Sequence, residues 1–370
     1  MLVTERVMAE SPTPPVPQPR WKTIVDALRA EIPNHRYGGR FYSIAEICER
    51  YEVSAITARR VLTEMQSEGL VEKIRSRGTV VRRLSSVVSV RLVMPSGVRP
   101  DYQATSVVMR RQLAGITEFA KAKQIDFDTI SEAHLAIVFA RGHDAYGFLV
   151  APGVSHETLD FLKSRGLPFV LLNPISGWEG RCHARPDRVQ AGYVAAEFLM
   201  SLGHRRIGYI LGSISQRNFR DRLIGYRAAH KDAKLRFDWE LIRETDGQHP
   251  EQDEEALAAL LSLRSPPTAV MTGDDGRAIQ VLECCRRQGI EVPRQLSILG
   301  YPNYPEAMLT DPPLSVVDAC YEEVGAAAMR LLMDQMYDAD GRGRASMVIP
   351  PKLIARGSTG PVSARSKMDL

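Results

Sequence analysis

Residues 43–69 of the chain have the sequence SIAEICERYEVSAITARRVLTEMQSEG, which predicts two short helices joined by a tight turn. Ser43, with Glu46 three residues later, is a capping box and begins the first helix. Ser54 is a suitable N-cap for the second helix, and Gly69 is a suitable residue to end it. Apolar side chains recur in both helices at i, i+3, i+4 and i+7, so each has one face for a core. The stretch therefore predicts a helix-turn-helix.

The outward face of the second predicted helix carries Ile56, Arg59, Arg60 and Thr63. An arginine can pair with a phosphate or donate two hydrogen bonds to the edge of a guanine. This face is therefore a candidate for reading the major groove of DNA. The alternative is a helical hairpin whose basic face is simply solvated.

The next stretch, residues 70–83, has the sequence LVEKIRSRGTVVRR and predicts two strands around a turn at 75–78. Lys73, Arg75, Arg77 and Gly78 lie on or beside that turn. A basic hairpin directly after a recognition helix is a wing, which can contact the phosphate backbone. Upstream, residues 21–32 predict a helix whose apolar face closes the small core.

This region resembles the winged helix-turn-helix of the GntR family of bacterial regulators. The family usually has arginine where this chain has Ala45 and Ala55, so its usual operator sequence is not implied. The residues that carry the resemblance are Ser43, Val53, Ser54, Thr57, Arg59, Leu62, Glu68, Gly69, Leu70, Arg77, Gly78 and Thr79. The predicted DNA-binding residues are Ser43, Ser54, Ile56, Thr57, Arg59, Arg60, Thr63, Lys73, Arg75, Arg77 and Gly78.

Length and charge agree with a separate DNA-binding segment. A chain of 370 residues is expected to form two or three domains. Residues 1–86 hold 14 Lys and Arg against 10 Asp and Glu, a net +4 that equals the net +4 of the whole chain. The excess positive charge therefore lies in the segment that is predicted to bind DNA.

The five cysteines show neither metal-ligand spacing nor a disulfide framework, which favours free thiols in a reducing cytoplasm. The N-terminus lacks the apolar core of a signal peptide, and no window is long enough to span a membrane. We expect a bacterial cytoplasmic protein that associates with the nucleoid and not with a membrane.

Beyond residue 88, apolar strands alternate with amphipathic helices, which favours an α/β fold with parallel sheets. Strands are predicted at 90–94, 147–150, 169–172, 207–211, 269–271 and 297–299. Helices are predicted near 103–123, 155–165, 187–202, 218–231, 251–262, 276–288 and 321–336. The segment is large enough for two lobes with a cleft between them.

Five motifs in the C-terminal half resemble those of LacI-type regulator cores. They are LGHRRIGYI at 202–210, RLIGYRAA at 222–229, PTAV at 267–270 with the two aspartates at 274–275, GIEVP at 289–293 with SILGY at 297–301, and PPLSVV at 312–317. The resemblance implies the fold of the periplasmic sugar-binding proteins, in which two Rossmann-like lobes are hinged around an effector. Residues 87–185 match that family mainly by their pattern.

The candidate effector-binding residues are Tyr102, Trp178, Arg222, Asp275 and Asn303. The fork of Arg222 suits paired hydroxyls or a carboxylate, although a surface salt bridge is the alternative. Asp275 follows a predicted strand and could accept hydrogen bonds from a ligand, or could instead cap the next helix. The family commonly has an acid where this chain has Pro302, and Asn303 is its nearest substitute. Tyr102 and Trp178 lie in loops that offer aromatic faces to sugars in this family, and core or surface positions explain them equally well.

The predicted organisation is α/β, with an N-terminal winged helix-turn-helix and a two-lobed, LacI-type, periplasmic-binding-protein-like core of Rossmann-like subdomains. Its segments are a disordered Pro-rich leader at 1–19, the DNA-binding domain at 20–84, the effector-binding and dimerisation domain at 85–357, and a flexible tail at 358–370. No helical hinge segment of the LacI type is recognisable at 84–90.

The predicted function is that of a regulator, in the first instance a repressor, that binds double-stranded operator DNA as a homodimer. A sugar-like effector between the lobes would favour one hinge state and so control operator binding. No catalytic constellation, metal site or cofactor motif is present in the sequence. The alternatives are a cytoplasmic solute-binding protein that docks a partner, an enzyme acting on a sugar, and a DNA-binding protein whose core serves only for dimerisation.

Overall fold

The computed structural model describes residues 19–32, 40–74, 78–81, 88–97, 106–135, 146–174, 181–337 and 346–362. The contacts within the chain divide it into two compact units, Met1–Ser86 and Val87–Leu370. The boundary lies two residues from the predicted one at 84/85. Each unit has its own hydrophobic core.

The N-terminal unit contains three helices and a hairpin. They are α1 (Arg20–Glu31), α2 (Ile44–Tyr51), α3 (Ala55–Ser67), β1 (Val71–Ile74) and β2 (Gly78–Val81). The two strands are antiparallel and pair Val71 with Val81. This is the predicted winged helix-turn-helix.

The caps that the sequence predicts form in this unit. The Ser43 side chain accepts a hydrogen bond from the Glu46 amide, and the Glu46 side chain accepts one from the Ser43 amide. Ser54 caps α3, and Gly69 follows that helix with a φ of 74°. The apolar faces of the three helices meet in one core together with β1 and β2. Its fully or nearly fully buried members include Val25, Leu28, Ile47, Ala58, Val61, Met65, Val71 and Val81.

The C-terminal unit holds two six-stranded sheets. The first sheet has the order β13-β7-β6-β5-β3-β4, and all of its strands are parallel. Its strands are β3 (Ser89–Met94), β4 (Asp126–Ser131), β5 (Tyr146–Val150), β6 (Phe169–Leu172), β7 (His183–Pro186) and β13 (Met347–Ile349). The helices packed on this sheet are α4 (Val107–Ala122), α5 (His156–Ser164) and α10 (Tyr321–Tyr337).

The second sheet has the order β14-β12-β11-β10-β8-β9, with β14 antiparallel to β12 and the other pairs parallel. Its strands are β8 (Ile207–Leu211), β9 (Ile242–Glu244), β10 (Ala269–Thr272), β11 (Ser297–Gly300), β12 (Ser315–Asp318) and β14 (Lys352–Ile354). The helices packed on it are α6 (Arg188–Ser201), α7 (Arg217–Asp232), α8 (Pro250–Leu261) and α9 (Asp275–Gln288).

The chain passes between the two sheets three times: from β7 into α6, from β12 into α10, and from β13 into β14. We call the half built on the first sheet the N-lobe and the half built on the second sheet the C-lobe. A two-lobed core of Rossmann-like subdomains is the architecture that the sequence predicted, and the three crossings are a finding of the structure. Such a core places ligands at the carboxyl ends of the strands, between the lobes.

All six predicted strands and all seven predicted helices of this unit form, with ends that differ by up to four residues. The sequence pattern missed β4, β7, β9, β12, β13 and β14. Four of these strands, β4, β9, β13 and β14, are the edge strands of the two sheets. An edge strand has a neighbouring strand on one side only, and the sequences of these four lack a long apolar run.

The predicted flexible tail from residue 358 is wrong for its described part. Ser358 is fully buried, and its hydroxyl donates to the carbonyl of Ile298 at 2.6 Å. The amide of Val362 donates to the carbonyl of Leu202 at 3.0 Å. Because these bonds satisfy buried backbone groups of the C-lobe, residues 358–362 belong to its core. Residues 363–370 and the predicted leader up to residue 18 lie outside the described residues.

Candidate DNA-binding surface and effector site

The outward face of α3 is exposed as predicted. Ile56 is 84% exposed, and Arg59, Arg60 and Thr63 are exposed as well. No described residue binds the guanidinium of Arg59. The guanidinium of Arg60, in contrast, lies over the ring of Trp21 in α1 at 4.3 Å from its centre. The two adjacent arginines therefore have different surroundings, and Arg59 is the one with an unengaged guanidinium.

Ser43, Ser54 and Thr57 lie at the N-termini of the two helices. The Ser43 hydroxyl accepts a hydrogen bond from the Glu46 amide at 3.3 Å, and the Ser54 hydroxyl accepts one from the Thr57 amide at the same distance. The hydroxyls of Ser54 and Thr57 are 3.1 Å apart. These side chains fix the start of each helix, and a helix N-terminus attracts the phosphates of a DNA backbone.

Lys73 on β1 is exposed, and Gly78 begins β2 with a φ of 76° that favours glycine. Both lie in the wing, as predicted. Arg75 and Arg77 lie outside the described residues.

Sequence reasoning did not single out the residues that brace the helices. Arg50 forms an ion pair with Glu31 at 2.7 Å and lies over the rings of Tyr42 and Tyr51. Arg29 pairs with Glu68 at 2.5 Å and so joins α1 to the end of α3. The two ion pairs hold α1 against α2 and α3, because each joins a residue of α1 to a residue in or at the end of another helix. Only a folded structure reveals such partners.

Arg222 is 4% exposed in the C-lobe and is not a surface residue. Its Nη2 donates to the carbonyl of Gly273 at 2.8 Å, and its guanidinium carbon lies 4.2 Å from the centre of the Tyr301 ring and 5.0 Å from that of Phe219. Its Nε is buried and has no hydrogen-bond partner. No described carboxylate forms an ion pair with it, so the surface salt bridge considered from the sequence is wrong.

A close crossing of α6 and α7 positions this arginine. A Cβ atom at Gly192 would lie 1.9 Å from the carbonyl oxygen of Arg222, and one at Gly225 would lie 1.8 Å from the carbonyl oxygen of Val189. Because both positions are glycine, the backbones of the two helices can come into direct contact, and a larger residue at either position would prevent this. The motif that contains Arg222 and Gly225 thus serves the packing of the lobe as well as the placement of the guanidinium.

Asp275 is fully buried at the start of α9. Asp274, and not Asp275, caps this helix, because the Asp274 side chain accepts a hydrogen bond from the Arg277 amide at 3.0 Å. Asp275 Oδ2 accepts a hydrogen bond from the amide of Tyr304, whereas Oδ1 has no partner. Desolvation raises the pKa of Asp275 to about 7, against the lowering effect of the backbone amides it faces.

Asn303 connects two other side chains. Its amide nitrogen donates to Asp318 Oδ2 at 2.7 Å, and its amide oxygen accepts from Arg356 at 2.9 Å. Both ends of this amide are thus engaged, although its role toward an effector stays a prediction. Tyr102 and Trp178 lie outside the described residues.

A small cavity lies at the carboxyl end of the C-lobe sheet. The space inside it that a water-sized molecule can occupy is about 10 Å³, which is the size of one water site. Its walls come from α6, α7 and four strands of the sheet or the residues that follow them. They include Gly192, Tyr209, Arg222, Thr272, Gly300 and Tyr301. A Cβ atom at Gly300 would lie 2.4 Å from Asp275 Oδ1, so the unpartnered oxygen of Asp275 is next to the cavity wall.

Arg111 on α4 joins the N-lobe to this region. Its Nη2 donates to Asp318 Oδ1 at 2.9 Å and to Glu322 Oε2 at 2.6 Å, and its Nη1 donates to the carbonyl of Pro302 at 3.0 Å. Asp318 ends β12 of the C-lobe, so the contact crosses the lobe boundary. The segment in which this chain lacks the family acid is therefore held by an arginine from the other lobe.

All five cysteines are free thiols. Within the described ranges, no group of three His, Cys, Asp or Glu side chains could hold a metal ion. Over those same ranges, no helix has the length and apolar character needed to cross a membrane.

Two family models match the chain. Residues 21–81 match the bacterial regulatory proteins of the gntR family, and residues 196–359 match a periplasmic binding protein-like domain. The first match covers the winged helix-turn-helix, and the second covers most of the C-lobe together with the second and third crossings between the lobes.

Two relatives are similar in sequence. The transcriptional regulator DegA of Bacillus subtilis is 27% identical over 321 residues, which cover 84% of this chain and 91% of DegA. The transcriptional repressor CytR of Escherichia coli K12 is 36% identical over 173 residues, 47% of this chain and 50% of CytR. The chain thus spans about half the length of CytR and nearly the whole of DegA.

Solved structures share the fold. A LacI transcriptional regulator from Bacillus cereus subsp. cytotoxis has a TM-score of 0.59 at 27% identity and covers 74% of this chain and 98% of its own. A LacI-family regulator from Enterococcus faecium, solved with bound ribose, has a TM-score of 0.59 at 23% identity and covers 74% of this chain and 99% of its own.

These relatives are regulators and not enzymes. The winged helix-turn-helix, the two-lobed core and the two family matches agree with one another along the chain. The chain is a DNA-binding transcription regulator: its residues 21–81 match the bacterial regulatory proteins of the gntR family, its residues 196–359 match a periplasmic binding protein-like domain, and its core is similar to those of LacI-type regulators.

Proposed function

We propose that this regulator acts as a repressor that binds a pseudo-palindromic operator as a homodimer in the bacterial cytoplasm. Each copy places α3 in the major groove, where Arg59 contacts a base edge and Ile56 contacts an apolar group such as a thymine methyl. Lys73 and Gly78, with Arg75 and Arg77 of the same wing, approach the phosphate backbone. The observation that carries this part is the exposed outer face of α3, on which Arg59 is unengaged.

We further propose that a sugar-like effector binds between the lobes and contacts Arg222 and Asp275. Arg222 has an unpartnered buried Nε, and Asp275 has an unpartnered buried Oδ1. Buried polar atoms without partners are uncommon in folded proteins, and a ligand that supplies the missing partners explains them. A carbohydrate hydroxyl suits both groups, because it can accept from the arginine and donate to or accept from the carboxyl group. The structure of the regulator from Enterococcus faecium with ribose supports this class of ligand.

The small cavity beside Arg222 is lined by C-lobe residues alone, so a sugar would bind between the lobes and not inside this cavity. About 10 Å³ accommodates a water and not a pentose or a hexose. An effector would therefore favour the lobe arrangement that has room for it. Only the difference between its affinities for the two arrangements can change operator affinity.

The test has two parts. Operator sequences are first selected from random double-stranded DNA with the full-length protein, and the affinity is then measured by fluorescence anisotropy with and without candidate sugars. Arg59→Ala is expected to abolish the selected preference, and Arg222→Met to abolish the sugar response while operator affinity is retained. An effector response that survives Arg222→Met would contradict the proposed site.

A core that serves only for dimerisation is the second candidate. The engaged amide of Asn303 and the Arg111 contacts at Pro302 favour it, because both occupy the region where the family places a ligand acid. A complete lack of stabilisation across sugars, sugar acids and sugar phosphates would favour this alternative.

A further inference from the structure

The interior of the C-terminal unit contains arginines of two kinds. Arg111 forms ion pairs with Asp318 and Glu322, and the buried Arg277 forms ion pairs with Asp253 and Asp274. Each of these two guanidinium groups is therefore neutralised by two carboxylates. Such pairing is what a buried cation requires, because an unpaired charge is costly to desolvate.

Arg188 and Arg222 are buried to the same degree, each 4% exposed, without such neutralisation. Arg188 makes one hydrogen bond to another side chain, from its Nη2 to Asn173 Oδ1 at 2.5 Å. Arg222 donates to the backbone carbonyl of Gly273 at 2.8 Å and also interacts with the side chain of Tyr209. Among the described residues, no carboxylate lies within ion-pair distance of either guanidinium.

Arg188 and Arg222 lie at the same crossing of α6 and α7, because a Cβ atom at Gly192, one helical turn after Arg188, would lie 1.9 Å from the carbonyl oxygen of Arg222. Burial lowers the pKa of Arg188, and the nearby charges of Arg222 and Arg185 add to this effect. Tyr301 and Tyr321 act on the charges of both Arg188 and Arg222, so the two arginines share an aromatic surrounding. Arg185 is half-buried, and its Nη1 donates to the carbonyl of Pro186 at 3.3 Å. Among the described residues, no carboxylate forms an ion pair with any of these three arginines.

The cluster also offers unused hydrogen-bonding groups. Arg222 Nε and the hydroxyl of Tyr301 are both buried without a partner. Guanidinium nitrogens are donors only, and a phenol hydroxyl can donate as well. These unused donors can bind the oxygens of an anion.

The position of Arg188 links the cluster to both lobes. Arg188 begins α6 of the C-lobe, whereas Asn173 follows β6 of the N-lobe. The hydrogen bond between them crosses the lobe boundary, and a group bound by Arg188 would compete with or reinforce that bond. Binding at this arginine is therefore coupled to the arrangement of the lobes.

We propose that the effector carries an anionic group, and that Arg188 and Arg222 bind this group together between the lobes, with Arg185 adding to the positive field. This inference rests on the effector site proposed above and names its ligand class as anionic, sugar-like molecules. A phosphate ester and a carboxylate share the chemistry that the cluster recognises. The pKa of Asp275, which burial raises to about 7, agrees with it, since a carboxyl group that is only partly ionised near neutral pH repels an anion less than a fully ionised one.

The first experiment uses inorganic phosphate and the full-length protein. Thermal unfolding is followed as phosphate replaces chloride at constant ionic strength, for the wild type, Arg188→Met, Arg222→Met and the control Arg286→Met. Arg286 is an exposed arginine of the same unit, paired with Glu283, so its loss removes an equal charge from the surface. The wild type and the control are expected to gain about 3–6 °C, saturably, whereas both cluster variants lose most of this gain.

The second experiment separates the two sources of the anion. Matched triplets, each a neutral sugar, its phosphate ester and its sugar acid, are tested in the same assay and in operator binding. Preference for the esters identifies a sugar phosphate, and preference for the acids identifies a sugar acid. If Arg188→Met does not fold, Arg188→Lys replaces it, because a lysine keeps the charge without the planar fork and is expected to weaken binding about tenfold or more.

The inference is overturned if neither inorganic phosphate nor any charged triplet member stabilises the wild type more than the neutral sugar does. It is overturned equally if the gain persists unchanged in Arg188→Met and Arg222→Met. Neutral sugars that change operator affinity in both the wild type and Arg188→Met would leave the proposed function intact and reject the anionic class. Anions that bind through Arg188 without any change in operator affinity would support the site and reject effector control.

Discussion

Arg111 of the N-lobe binds Asp318 of the C-lobe, with its Nη2 2.9 Å from Oδ1 and 3.1 Å from Oδ2. Both side chains are largely buried, with 14% and 12% exposed. The pair raises the pKa of Arg111, although desolvation acts in the opposite direction. It is a charged contact across the lobe boundary, and the proposed movement of the lobes on effector binding would alter it.

Arg111→Met should therefore destabilise the core and change its hinge. We expect the free energy of unfolding to fall by about 2–4 kcal/mol, because Asp318 is left without its cation. Urea denaturation of the full chain measures this, with Arg286→Met as a surface control that should change it by less than about 0.5 kcal/mol. Equal losses in the two variants would show that the contact between the lobes contributes little.

Arg59 and Arg60 should differ in operator binding. Arg59→Ala is expected to weaken binding to the selected operator by about 1–3 kcal/mol and to relax preference at one base pair. Arg60→Ala is expected to cost less affinity but to lower stability by about 0.5–1 kcal/mol, because it removes the stacking on Trp21. Anisotropy and thermal unfolding of both variants check this. The reverse order of affinities would assign base contact to Arg60.

Lys73 tests the role of the wing. Lys73→Ala should weaken binding to all DNA sequences alike and reduce the slope of log affinity against log salt by about 1, since one phosphate contact is lost. Affinity measured at several salt concentrations, on operator and on unrelated DNA, gives this slope. A change in sequence preference would instead place Lys73 at a base.

Asp275 should make the stability of the core depend on pH. Its pKa is raised from 3.8 to about 7, so between these values the folded state keeps a proton that the unfolded state has lost. Stability is then lost as the pH rises through this window, by at most about 1.4 kcal/mol per pH unit from this group. Asp275→Asn resembles the neutral form and should remove that contribution.

Urea denaturation at pH 5 and pH 7 measures the effect of Asp275. The difference in unfolding free energy between the two pH values should be smaller in Asp275→Asn than in the wild type by on the order of 1–3 kcal/mol. Asp128→Asn, at an exposed position in the N-lobe, is the matched control and should keep the wild-type difference. An unchanged difference in Asp275→Asn would mean that Asp275 is ionised throughout this range.

Much of the fold could be predicted because its signals are local. The capping box at Ser43 and Glu46, and the helical spacing of Val61 and Met65, depend on residues a few positions apart. The same holds for the exposure of Arg59 on the opposite face of α3. The strands that were missed lack this local signal, because β4, β9, β13 and β14 lie at or near sheet edges.

The candidate effector site was only half predictable. Arg222 and Asp275 were identified through their motifs, but the sequence left a surface salt bridge open for the first and a helix cap for the second. Arg188 was not identified, because nothing in its neighbourhood distinguishes it from an exposed arginine at a helix start. Its burial follows from the way α6 enters the C-lobe beside β6 of the N-lobe.

The amino-acid sequence by itself determined the order of the domains, the winged helix-turn-helix and most elements of the two-lobed core. These features depend on periodicity, caps and motifs within short stretches. There, residues a few positions apart determine whether a helix or a strand is favoured. The tertiary structure alone decided that Arg60 stacks on Trp21, that residues 358–362 are part of the core, and that Arg188 and Arg222 are buried without an ion pair to any carboxylate of the described residues. Burial and charge balance depend on residues that are distant in sequence, so they are fixed only when the chain has folded.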